Sequence, residues 1–223
     1  MAEEKAEEDV LIQEIDDELK QENLQKLWND YGVYLLAAAV ALVVGVAGFK
    51  GWQSYDLKQR AAAAERFVAA QELASADKKD AATEAFSKIA GDAGTGYAML
   101  ARFQVAALAA KKGKPADAVM SYTAIADNSG IEQIYRDLAV VLGALSELEA
   151  KSGANALVKR AENIAKGTGP WRYNAREVIA MSLMQGGDRK TARERYAALA
   201  KDAAAPQGLR TRAEEMETIL KGK

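Results

Sequence analysis

The chain has 223 residues, a formal net charge of −2, 49% hydrophobic and 28% charged residues, and only 3 prolines. With neither histidine nor cysteine it can build no disulfide, no Cys nucleophile, no Ser-His-Asp triad and no zinc site that needs those ligands. Abundant alanine and scarce proline predict an all-α fold and favour a helical binding protein over an enzyme.

In chain order, residues 1–30 come first, with 11 acidic and 3 basic residues, a balance of −8, while the remainder balances to +6. Such asymmetry means either a solubilising acidic tail or two parts that meet different surroundings. Val10, Leu11, Ile12, Ile15, Leu19, Leu24, Leu27 and Trp28 fall mainly at helical spacing among the acids, which predicts an amphipathic helix. Its acidic face disfavours an anionic leaflet, so the apolar stripe is expected to meet protein; self-association and a frayed tail are the alternatives.

Residues 31–49 form an uncharged run between Asp30 and Lys50. At a helical rise of about 1.5 Å per residue it spans roughly 28 Å, close to the hydrocarbon core of a bilayer. Trp28, Tyr31 and Tyr34 flank one end and Phe49 and Trp52 the other, as interfacial aromatics do. A transmembrane helix is therefore expected in contact with the lipid bilayer, in preference to a buried core helix. A cleaved signal would start with a short basic region, whereas this run follows an acidic segment. Lys20 and Lys26 precede the run, and Lys50, Lys58, Arg60 and Arg66 follow it. That count points weakly to a cytoplasmic C-terminal side, but long domains translocate largely regardless of charge, so the orientation stays open. Ala37, Ala41 and Gly45 recur at i, i+4 and i+8, a small-residue stripe that would let another membrane helix approach closely.

Residues 50–223 read as a repeat domain. The triplet Ala82, Phe86, Ile89, spaced 4 and 3, recurs as Ala118, Tyr122, Ile125 and again as Ala192, Tyr196, Leu199. Residues 131–166 leave room for one more unit, with Ala156 near the expected small position and the aromatic lost. Seven residues before the expected turns at Asp77, Gly113 and Gly187 stand Ala70, Ala106 and Ala180, and four earlier stand Arg66, Arg102 and Arg176. Gly113-Lys-Pro115 and Gly186-Gly-Asp188 supply turn chemistry, with proline at a helix start where its missing N–H costs nothing. This is the layout of the tetratricopeptide repeat, a helix–turn–helix of about 34 residues. About four hairpins would stack into a short solenoid whose hollow takes peptides or client polypeptides. The three arginines are candidates for that partner surface, for solvated faces, or for ion pairs within the repeats. Lys50 to about Ala74 is expected to continue the membrane helix into the first repeat.

No catalytic spacing stands out. Gly91, Gly94 and Gly96 lack the Lys-Ser/Thr of a phosphate loop, and Gly167-Thr-Gly169-Pro170 follows no strand. Ser75-Ala-Asp-Lys78 matches a Ser-x-x-Lys pattern by letters only, at an expected turn. No catalytic, metal or cofactor-binding residue is expected, and no nucleic-acid partner, since the pI is about 5.5 and no dense basic stripe is present.

The acidic segment, single span, Gly51-Trp-Gln-Ser-Tyr-Asp56, Gly96-Tyr-Ala-Met-Leu-Ala-Arg102 and Gly187-Asp-Arg-Lys-Thr-Ala-Arg193 together resemble the YfgM family, the ancillary subunit of the bacterial SecYEG translocon, in a form like that of alphaproteobacteria. The resemblance covers most of residues 24–200; the first segment is longer and more acidic than the family pattern. It implies a single-pass inner-membrane protein, N-terminus cytoplasmic and repeats periplasmic. It also implies association with SecYEG and with a membrane-anchored PpiD-type periplasmic chaperone. This orientation runs against the charge count, which a translocated domain of this length escapes. The alternative is a tethered assembly factor for another inner-membrane complex, such as one in cytochrome biogenesis or envelope synthesis.

Overall fold

The computed structural model describes the backbone of residues 2–92, 95–151, 153 and 155–222, and the side chains of these except 2–25, 27, 92 and 95. The apolar stripe expected over Val10 to Leu27 and the middle of the Gly91–Gly96 turn therefore lie outside the described residues. Among those described, the chain is all helical: α1 (Ala2–Ser75), α2 (Lys79–Asp92), α3 (Thr95–Lys111), α4 (Pro115–Ala126), α5 (Gln133–Ala150), α6 (Ala156–Lys166), α7 (Arg172–Gln185), α8 (Arg189–Lys201) and α9 (Gln207–Lys221). It divides into two compact units, residues 1–58 and 59–223.

The second unit is a series of helical hairpins, and one local device recurs in each. Asp77, Gly113, Lys151 and Gly187 all adopt left-handed backbone, with φ of 58°, 70°, 49° and 89°. At Gly113 the N–H reaches Ala110 O (2.9 Å) and the next N–H reaches Ala109 O (3.0 Å); Asp77 and Gly187 repeat that pair of bonds. This is the Schellman termination, which satisfies the orphan carbonyls of a helix end and turns the chain back on itself. Each hairpin therefore joins a first helix (the end of α1, then α3, α5 and α7) to a second (α2, α4, α6 and α8), and α9 follows. Seven residues before each left-handed residue stands a fully buried alanine: Ala70, Ala106, Ala144 and Ala180. With no side chain beyond Cβ, these alanines let the two helices of a hairpin approach closely.

Second-helix aromatics fill the space between first helices. Phe86 meets Phe67 edge-on at 5.2 Å between ring centres, and Tyr122 lies 6.1 Å from Phe103. Ala82, Phe86 and Ile89 belong to one buried cluster, Ala118, Tyr122 and Ile125 to a second, and Ala192, Tyr196 and Leu199 to a third.

The third hairpin keeps the packing but exchanges sizes between its helices. Ala156, which sits near the expected small position, is exposed at the start of α6. The row turned inward is instead Leu157, Ala161 and Ile164, at the same spacing of 4 and 3 but with a large residue where its neighbours have alanine. Space for Leu157 comes from Gly143 of α5: a Cβ there would strike Leu157 Cδ1 and lie 2.9 Å from Tyr122 Cβ. In the second and fourth hairpins the corresponding first-helix position, eight residues before the left-handed turn, holds Val105 or Ile179. The loop here is also longer, and Asn155 makes no side-chain cap at the start of α6. Glu147 of α5 substitutes: it is 5% exposed, and one carboxylate oxygen accepts the N–H groups of Leu157 (2.9 Å) and Val158 (3.0 Å). A buried negative charge is tolerable at that place because it faces unpaired N–H groups at the positive end of a helix.

Candidate protein-binding surfaces

In the first unit, the face that calls for a partner is apolar. Along α1 the large side chains from Val33 to Val46 stand in the open, Val33 at 79% and Val43 at 64% exposure. The part of α1 that carries them, within Trp28–Ser75, is long and apolar enough to cross a membrane. Ala37, Ala41 and Gly45 are exposed along it, and a Cβ built at Gly45 meets nothing within 4 Å. A continuous apolar surface of this extent is uncommon where water is the only neighbour.

In the second unit, the three repeated arginines differ in exposure, and Arg176 is engaged within the stack. Arg176 spans the ends of two second helices: its Nε donates to Ala165 O at the end of α6 (3.1 Å), and Nη1 to Asp202 just beyond α8 (3.2 Å). It also lies over the Tyr173 ring, 5.2 Å from its centre. Arg102 is half-buried and Arg66 exposed. Arg160 makes a similar strap that sequence reasoning missed, donating to Asp127 (2.8 Å) and Ala126 O (3.4 Å) at the end of α4. Glu177 of α7 and Arg212 of α9 form a two-pronged pair at 2.9 Å for both bonds, which ties α9 to the stack. The partners in these straps stand 11 to 35 residues apart on different elements, so no local spacing would have disclosed them. Asp188 caps α8 by accepting Thr191 N–H, and that backbone bond holds its carboxyl below the ordinary range.

The opposite side of the first helices is a different surface. Thirteen residues before the left-handed turns stand Leu100, Leu138 and Asn174, and six before stand Ala107, Leu145 and Met181. On α3 and α7 the arginine row lies two residues further along, hence about 200° around the helix, so the two rows look in opposite directions. All six of these residues are exposed or half-buried, and five of them are apolar. The face can thus offer apolar contact to a chain laid across α3, α5 and α7, with an amide at one end. Among the described residues no group of three or more carboxylates is placed to hold a metal ion.

No curated protein and no solved structure matches the chain. A family model does match, that of a tetratricopeptide repeat-like domain, over residues 25–217. Its extent takes in the apolar stretch of α1 as well as the hairpins, and the recurring turns, buried alanines and packed aromatics are what such a repeat requires. A stacked-hairpin domain of this kind fits a protein-binding adaptor, and the chain belongs to the tetratricopeptide repeat-like domain family.

Proposed function

We propose that the chain is a non-enzymatic, membrane-anchored adaptor of the YfgM kind. Residues 31–49 are the span, residues 50–223 the repeat domain in the periplasm, and residues 1–30 an acidic cytoplasmic segment. In this reading the span holds the protein beside the SecYEG channel of a bacterial inner membrane. The repeats receive client segments and pass them towards a PpiD-type chaperone. The observation that carries the reading is the exposed apolar stretch Val33–Val46 in the same chain as a stack of tetratricopeptide-like hairpins. A bilayer would satisfy that stretch, since every backbone group of a helix is already bonded internally. Ala37, Ala41 and Gly45 are the contacts proposed for a neighbouring membrane helix.

Photocrosslinking from Ala41 or Gly45 in intact inner membranes tests the partner. The reading expects an adduct with a channel subunit from these positions and a weaker one from Val43 on another face. Adducts with a different complex would support the assembly-factor alternative instead, and uniform adducts around the helix would remove the packing role of the stripe.

A further inference from the structure

Behind α7, on the side of the second helices, α6 and α8 leave a groove of about 660 Å³ lined by residues of all three helices. That volume lies within the range of roughly 300–1,000 Å³ typical of binding pockets. Ile179, Leu183 and Leu199 supply its apolar lining, and Lys166 and Arg195 stand exposed on opposite walls. Glu162 also lines it, while Asp202 is engaged by Arg176 at 3.2 Å. The surroundings carry the same sign. Residues 156–202 hold ten basic and five acidic residues, so this part of the chain accounts for +5 of the +6 found beyond residue 30. Residues 50–155 balance to zero.

We propose that this groove docks an acidic, leucine-bearing segment of a partner protein. Its apolar side chains would lie on the half-buried Ile179 and Leu183, and its carboxylates would meet Lys166 and Arg195 across the gap. The site is separate from the apolar face of the first helices, because Arg176, which lines it, lies about 200° around α7 from Asn174 of that face. It gives the adaptor a second surface with a different chemical preference, one for client-like apolar chain and one for an acidic partner. The inference rests on the protein-binding reading of the repeats and not on the identity of the membrane complex.

The test uses the full chain in detergent micelles or nanodiscs and a labelled synthetic peptide of leucine and glutamate, with a leucine–glutamine analogue as control. Benzoylphenylalanine replaces Ala198 at the groove or Leu100 on the first-helix face; both positions are exposed, so the fold tolerates them. The expected result is crosslinking of the acidic peptide at 198, little with the glutamine analogue, and an affinity loss of about tenfold or more in the K166E/R195E variant. A leucine–lysine peptide should bind that variant better than the parent. Crosslinking only at 100, with affinity unchanged in K166E/R195E, would overturn the groove while leaving the adaptor reading intact. Absence of crosslinking at either position would overturn it too, and the membrane experiments would judge the adaptor reading separately.

Discussion

Replacing Gly143 by alanine is the sharpest probe of how the third hairpin packs. A methyl group at that position would lie 2.9 Å from Tyr122 Cβ and would collide with Leu157 Cδ1. Leu157 can swing partly aside, but Tyr122 Cβ is fixed to the α4 backbone, so α4 and α5 must separate. Overpacking of this kind typically costs about 1–3 kcal/mol, against which alanine returns about 1 kcal/mol of helix propensity. Because one of the two clashes is with a backbone-anchored atom, the upper half of the range applies, and a net loss of about 1–2 kcal/mol is expected. In a stack of repeats that loss is local, so the assay is hydrogen exchange read by mass spectrometry on peptides from α4, α5 and α6. The double substitution Gly143→Ala with Leu157→Ala removes one of the two clashes and moves the pair towards the size pattern of the neighbouring hairpins. It should show a favourable coupling of about 1 kcal/mol relative to the two single changes. Equal or greater protection in Gly143→Ala, or simple additivity in the double variant, would refute the proposed exchange of volumes.

Three other expectations follow from the same geometry. Lys151 holds a left-handed φ of 49° where two of the other turns use glycine, so Lys151→Gly should raise thermal stability by about 0.5–1 kcal/mol, and Gly187→Ala, at φ 89°, should lower it by about as much. Glu147→Ala leaves the N–H groups of Leu157 and Val158 buried without an acceptor; a loss of about 2 kcal/mol, visible as faster exchange at the start of α6, is expected, with Glu147→Gln milder. Burial, helped by the nearby Glu177 charge, pushes the Tyr196 phenol up to about 12. In the unfolded chain it ionises near about 10, so its contribution is intact below that pH and is lost as pH rises through the folded value. Tyr196→Phe should therefore retain more of its stability in alkaline titrations followed by circular dichroism.

Much of this fold can be read in the residues because three of four hairpins use the same local chemistry. The triplets at Ala82, Ala118 and Ala192 and the turns at Asp77, Gly113 and Gly187 encode packing through positions close in sequence. The third hairpin resists such reading because what it preserves is volume, shared between Gly143 and Leu157 on different helices, and not residue type at a fixed place. Its buried alanine, Ala144, becomes recognisable only once Lys151 is known to be the left-handed residue, since lysine carries no turn signal. The surfaces were harder still. An arginine repeated at one register reads as a shared function, yet Arg176 is taken up by Ala165 O and Asp202, partners 11 and 26 residues away. The groove between α6 and α8 depends on such non-local straps and on the spacing of second helices, neither of which a linear pattern expresses.

The side of the membrane on which the repeats lie divides a periplasmic adaptor from a cytoplasmic one. A reporter active only in the periplasm, fused after Lys223 and expressed in a Gram-negative host, addresses that directly. Activity in membrane fractions, with the fusion intact, is the predicted result, because residues 31–49 then cross the bilayer and deliver the hairpins beyond it. An intact membrane-bound fusion without activity would contradict the account, placing the repeats in the cytoplasm as the flanking charges alone suggest.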